Sequence, residues 1–160
     1  MSTIAGLPAH ILLLHFVVVL VPLNAILLIL CAVWPAARRR LVWLVATLAA
    51  VTLVVTPLTV KAGEWLVNTG KITETPELDT HMTAGDYGLY MALAVAVAAV
   101  LLAGLHVAQS RQRRVAPVLQ LGIVVVVIAL SGGAMFAIHT IGESGAKAAW
   151  GSLLAPADDQ

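Results

Sequence analysis

Residues 11–33 read ILLLHFVVVLVPLNAILLILCAV, an apolar run interrupted by His15, Pro22 and Asn24 and carrying no acid, lysine or arginine. A helix needs about 20 residues of this kind to cross the hydrocarbon of a bilayer. Three further apolar blocks follow, so the chain of 160 residues is 61% apolar and 11% charged. Soluble domains average about a quarter charged residues, so a water-soluble core does not account for this composition. In lipid each crossing segment must satisfy its own backbone polar groups, which selects helices. The expected fold class is all-α, an integral membrane four-helix up-down-up-down bundle.

The spans are expected at about 8–34, 41–66, 86–108 and 116–140, within a single transmembrane domain covering 1–160. A loop at 67–85 and a tail at 141–160 are expected on the outer side, the end of the tail mobile. Pro8 suits a first helical turn, where its missing N–H costs nothing. Pro22 and Pro57 are expected to kink their spans, with Thr52, Thr56 and Thr59 re-satisfying freed backbone groups. The opening MSTIAGLPAH lacks the basic region of a cleaved signal and reads as the start of a retained span.

Charge settles the expected orientation. Arg38, Arg39 and Arg40 and then Arg111, Arg113 and Arg114 fill two short connectors, whereas all eight carboxylates lie in the remaining segments. Short arginine-rich loops stay in the cytoplasm, so both termini and the 67–85 loop are expected to face outward. Trp34 and Trp43 then bracket the inner boundary, and Trp65, Tyr87, Tyr90 and Trp150 the outer one. Ala92, Ala96, Ala99 and Ala103 recur at helical spacing in span three, a stripe that lets helices approach closely in lipid. Gly132 and Gly133 are read the same way. Cys31, alone in its apolar run, is expected to be a buried thiol.

This topology brings four histidines to one end. His10 and His15 open span one, His81 precedes span three and His139 closes span four. His15 stands out, about 10 Å below the start of its helix at 1.5 Å per residue, a depth at which ionisable groups face a bundle interior or a wet cavity. Imidazole ligates Zn, Cu and haem iron, and bundle cores commonly hold such groups. Two arrangements are open. A haem b would pair His15 with His139; a compact transition-metal site would draw on His10, His15, His81 and His139, with Asp79, Asp86 and Glu64 orienting the rings. Solvated polar caps and proton-relay or pH-sensing roles remain the competing readings. Lys61 and Glu64 are spaced to pair along one helix face. Asn24 and Gln120 read as makers of interhelical hydrogen bonds, and His106 as an inner-boundary group.

No nucleotide loop, serine or cysteine triad, CxxC, CxxCH or HExxH motif occurs, so nothing signals an enzyme, and nucleic-acid binding has no support. The opening LPAHILLLHF and the late GGAMFAIHTIG, with a histidine ahead of span three, resemble the DUF2231 family of bacterial inner-membrane proteins. Its His-x4-His-Phe start matches His10, His15 and Phe16, and its double glycine followed by a histidine matches Gly132, Gly133 and His139. Val17 stands where the family commonly has proline. The resemblance implies a four-span protein of the bacterial inner membrane and supplies no reaction. The leading functional expectation is an outer histidine cluster binding haem b or a transition metal, serving electron transfer. The alternatives are an accessory subunit of a larger membrane complex, and small-solute or proton transport by a dimer. The expected partners are the lipid bilayer and other membrane subunits or a second copy.

Overall fold

Trp34 alone separates the first two helices, α1 (Ala9–Val33) and α2 (Pro35–Asn68). The computed structural model describes residues 3–4, 7–70 and 74–154. The expected connector 35–40 is therefore the opening of α2. Pro35 occupies its first turn, where a fixed φ and a missing N–H are no handicap. A two-residue antiparallel ladder, β1 (Thr3–Ile4) with β2 (Leu7–Pro8), precedes α1.

The expected outer loop contains a further helix, α3 (Pro76–Asp86). Its start is chemically explicit. The Thr75 hydroxyl accepts the Leu78 backbone N–H at 3.2 Å, Pro76 fills the first turn, and Glu77 and Asp79 meet the positive end of the helix dipole. Tyr87 joins it to α4 (Gly88–Ser110), and α5 runs from Pro117 to Leu154. The expected tail is thus helical for 14 residues beyond Thr140. Ala146, Ala148 and Ala149 favour helix, Glu143 and Lys147 pair at 2.8 Å across one turn, and α3 packs along it. Asp158, Asp159 and Gln160 lie outside the described residues.

Helices α1, α2, α4 and α5 form a ring in which α1 and α4 each touch both α2 and α5. Each is long and apolar enough to cross a membrane, which makes the chain a multi-pass membrane protein. Val21, Leu28, Val45, Val95, Leu102 and Val127 fill the centre. Phe16, Val19, Val54, Val100, Val118 and Phe136 cover an apolar exterior, the pattern expected where lipid is the solvent. Ala92 and Ala99 are buried along α4, as the stripe implied. Gly132 and Gly133 are not packing sites: both are exposed, and a Cβ on either would meet nothing within 4 Å. The hydroxyls of Thr52, Thr56 and Thr59 donate to the carbonyls of Leu48, Thr52 and Val55. They therefore bypass the Leu53 carbonyl that Pro57 leaves without its donor.

The arginine end is built around one side chain. Arg38 is 1% exposed and donates to the Cys31 and Ala32 carbonyls at 3.2 and 3.4 Å and to Gln109 Oε1 at 3.1 Å. Gln109 in turn donates to Gln120 at 3.2 Å. One guanidinium thereby caps the negative end of α1 and ties α2 to α4 and, through the glutamines, to α5. Beside it, Trp43 meets His106 edge-on with ring centres 6.2 Å apart.

Candidate functional site

His10 sits in the first turn of α1, turned toward α2, where its Nδ1 lies 2.9 Å from the Thr59 carbonyl oxygen. His81 projects from α3 toward α5, its Nδ1 3.1 Å from the Ser144 hydroxyl. The two ring centres are 6.4 Å apart with planes at 72°. Glycines make room for both. A Cβ at Gly63 would lie 2.9 Å from His10 Cε1 and Nδ1, and one at Gly145 would lie 2.9 Å from His81 Cε1. Each imidazole therefore rests against helix backbone that any larger residue would obstruct.

The hydrogen bonds assign the tautomers. A carbonyl oxygen only accepts, so His10 carries its proton on Nδ1. The Ser144 hydroxyl donates to the Ile141 carbonyl at 2.9 Å, so it accepts from His81, whose proton is also on Nδ1. In the neutral form of each ring this tautomer leaves Nε2 without a proton. Tying down Nδ1 and freeing Nε2 is the usual preparation of a histidine ligand, with a carbonyl or hydroxyl in the outer shell. His81 rides on the polar helix α3, ahead of the apolar run that begins at Gly88. Burial, and secondarily the neighbouring His10, hold its imidazole below the ordinary range.

Of the four histidines expected to converge, the structure brings two together. His15 is exposed on the outer surface of α1, and its Nδ1 bonds the Ile11 carbonyl of its own helix. His139 is 75% exposed on α5, with Glu143 3.9 Å away. The haem pairing of His15 with His139 inside the bundle is thus not formed, because both positions fall on outward faces of their helices. The carboxylates expected to orient the rings do not do so either. Asp79, Asp86 and Glu64 are all exposed, and the ring partners are Thr59 and Ser144 instead. Lys61 and Glu64 form no ion pair within 4.0 Å; they line a groove of about 220 Å³ with Asp86. Among the described residues no three His, Cys, Asp or Glu side chains gather as a group able to hold a metal ion.

Sequence reasoning missed Thr59, Gly63, Ser144 and Gly145 as parts of the site, and Arg38 as a buried cap. Ser144 and Gly145 were hidden by reading 141–160 as a tail. The signal for Arg38 was its position seven residues past Cys31 across a one-residue turn, within reach of the last carbonyls of α1. No family model, curated protein or solved structure matches the chain.

Proposed function

We propose that this chain is a multi-pass protein of the bacterial inner membrane, of the DUF2231 kind, whose paired His10 and His81 bind a transition-metal ion on the outer side. The observation that carries the reading is the pair itself: two imidazoles, both fixed through Nδ1, both with Nε2 unused, their centres 6.4 Å apart among four helices. An ion midway between two imidazoles places their centres at most about 6.2 Å apart, given metal–nitrogen bonds near 2.0 Å. The observed 6.4 Å lies close to that limit, and the turn of the rings that would aim both Nε2 atoms at one ion is part of the proposal. Imidazole suits copper and zinc, and two neutral donors without a carboxylate fit Cu(I), which accepts two near-collinear nitrogens. Zinc would need water or another small ligand in its remaining positions. The arginine-rich ends of the hairpins support an outward-facing histidine end, since short arginine-rich connectors stay in the cytoplasm.

The test is metal content and absorption of protein purified from cells replete in copper, zinc and haem. Near-stoichiometric metal is expected, abolished by His10→Ala or His81→Ala and unchanged by His15→Ala with His139→Ala. Protein free of metal, or metal retained in both single variants, refutes the reading. A haem absorption band lost in the His15, His139 double variant would instead revive the surface pairing, across two copies of the chain.

A further inference from the structure

About 20 Å below the histidine pair lies a second polar feature, independent of it. Asn24 on α1 and Ser131 on α5 are both 0% exposed. Asn24 Nδ2 donates to the Thr52 hydroxyl at 3.0 Å, and that hydroxyl is already committed to the Leu48 carbonyl at 2.8 Å. Asn24 Oδ1 and Ser131 Oγ have no partner at all. A buried polar atom without a hydrogen bond costs about 1–3 kcal/mol, so two at one level demand an explanation.

The Ser131 hydroxyl is the more telling. The hydroxyls of Thr47, Thr52, Thr56, Thr59 and Thr140 each donate to the carbonyl one turn earlier in their own helix. Ser131 does not, although this is the easiest satisfaction a helical serine has. It is turned toward the interior. Depth agrees: Asn24 is 14 residues from His10 and Ser131 is 13 from Ser144, about 21 and 20 Å at 1.5 Å per residue. Their helices are in contact. Val21 and Leu28 flank Asn24, and Val127 and Ala134 flank Ser131, all in one buried cluster.

We propose that Asn24 Oδ1 and Ser131 Oγ share a single internal water that bridges α1 to α5. Water donates one hydrogen to the amide oxygen and exchanges a second bond with the hydroxyl, so both orphaned atoms are satisfied by one molecule. A cation fits less well, because no carboxylate lies near this level to balance it and desolvating an unpaired charge is far costlier. The bridge also fills a gap in the polar stitching of the bundle. Direct side-chain hydrogen bonds join α1 to α2, α2 to α4, α4 to α5 and α3 to α5, and among the described residues none joins α1 to α5.

The test combines a thermodynamic cycle with proton-detected NMR of the full chain in lipid nanodiscs. Ser131→Ala removes one atom and should lower the folded-to-unfolded ratio about threefold, the average effect of an interhelical hydrogen bond in membrane bundles. In an Asn24→Leu background the same change should have no effect. The Asn24 side-chain amide should show a water cross-peak that Ser131→Ala abolishes. Additive effects overturn the proposal. So does coupling without a water cross-peak, which would mean that the hydroxyl bonds the amide directly.

Discussion

Placing a methyl group at Gly63 is the sharpest perturbation of the histidine pair, because two opposing magnitudes can be set against each other. An added Cβ would stand 2.9 Å from both Cε1 and Nδ1 of His10, closer than carbon–carbon or carbon–nitrogen contact allows. The ring must move, and moving it breaks the 2.9 Å bond to the Thr59 carbonyl. Overpacking of this kind costs about 1–3 kcal/mol, and the hydrogen bond a further ~1 kcal/mol. Against this, alanine is favoured over glycine within a helix by about 1 kcal/mol. Gly63→Ala should therefore destabilise the chain by about 1–3 kcal/mol. Gly132→Ala, where the new methyl meets nothing within 4 Å, should stabilise it by up to about 1 kcal/mol. Reversible unfolding of both variants in mixed micelles measures the difference, and NMR of the His10 ring reports whether Nδ1 keeps its proton and its partner. If Gly63→Ala stabilises as much as Gly132→Ala and the His10 signals do not shift, the ring does not rest against α2 as described. Gly145→Ala repeats the experiment on His81, whose Cε1 is also 2.9 Å from the added atom.

Three further outcomes are expected. Arg38→Met keeps the aliphatic stem but strips the hydrogen bonds to Cys31, Ala32 and Gln109, and should cost about 2–4 kcal/mol in the same unfolding assay; Arg39→Met, on an exposed neighbour, should stay within about 0.5 kcal/mol. Thr75→Ala removes the cap of α3 and should cost about 1 kcal/mol, seen as faster hydrogen exchange confined to Pro76–Asp86. Docking of α3 should weaken in acid: the His81 imidazole is held low in the docked state, so below the free value near 6.5 the undocked form takes up the proton first. Protection of α3 amides, corrected for the intrinsic exchange rate at each pH, should thus be high above about pH 6.5 and fall in acid, and a His81→Gln variant should lose that fall.

Apolar run length and arginine placement made the four crossings legible, since both are one-dimensional properties of the chain. The boundaries of α1 and α4 come within two residues of the expected ones. What escaped was local chemistry outside the apolar runs. Thr75-Pro76-Glu77 is a helix start by any capping rule, yet a polar connector rich in Thr, Glu and Pro reads as loop when hydropathy leads. The 141–154 segment failed for the same reason: its glycines and serines outweighed its alanines, and the contact with α3 that stabilises it is a tertiary fact. The histidine site depended on both errors, because His81 rides on one missed helix and Ser144 on the other. His15 misled in the opposite direction. Its depth implied an inward ring, but a histidine that bonds the carbonyl one turn back in its own helix can lie on the outer surface without leaving that nitrogen unsatisfied.

The choice of ring partners bears on what the site can do. Asp79 or Asp86 against Nδ1 would have stabilised the imidazolium, raised the pKa and placed a proton on Nε2 near neutral pH. A carbonyl and a hydroxyl hold Nδ1–H equally well without that electrostatic bias, and burial beside a second imidazole disfavours the charged form of His81 further. A metal ion bound by the proposed pair would compete with the proton for the same nitrogen, favoured at neutral pH and displaced in acid. If the pair holds a metal ion, its affinity should accordingly fall in acid, and the lowered His81 imidazole moves that loss below the ordinary histidine range. Ring orientation and acid dependence can be separated. Ser144→Ala leaves Nε2 in place but frees Nδ1 from its acceptor, so the ring can adopt the other tautomer. It should weaken metal binding about 10–100-fold, the usual cost of losing an outer-shell partner, while the acid dependence persists. Binding unchanged in Ser144→Ala would mean that the ring orientation set by α5 plays no part in holding the ion.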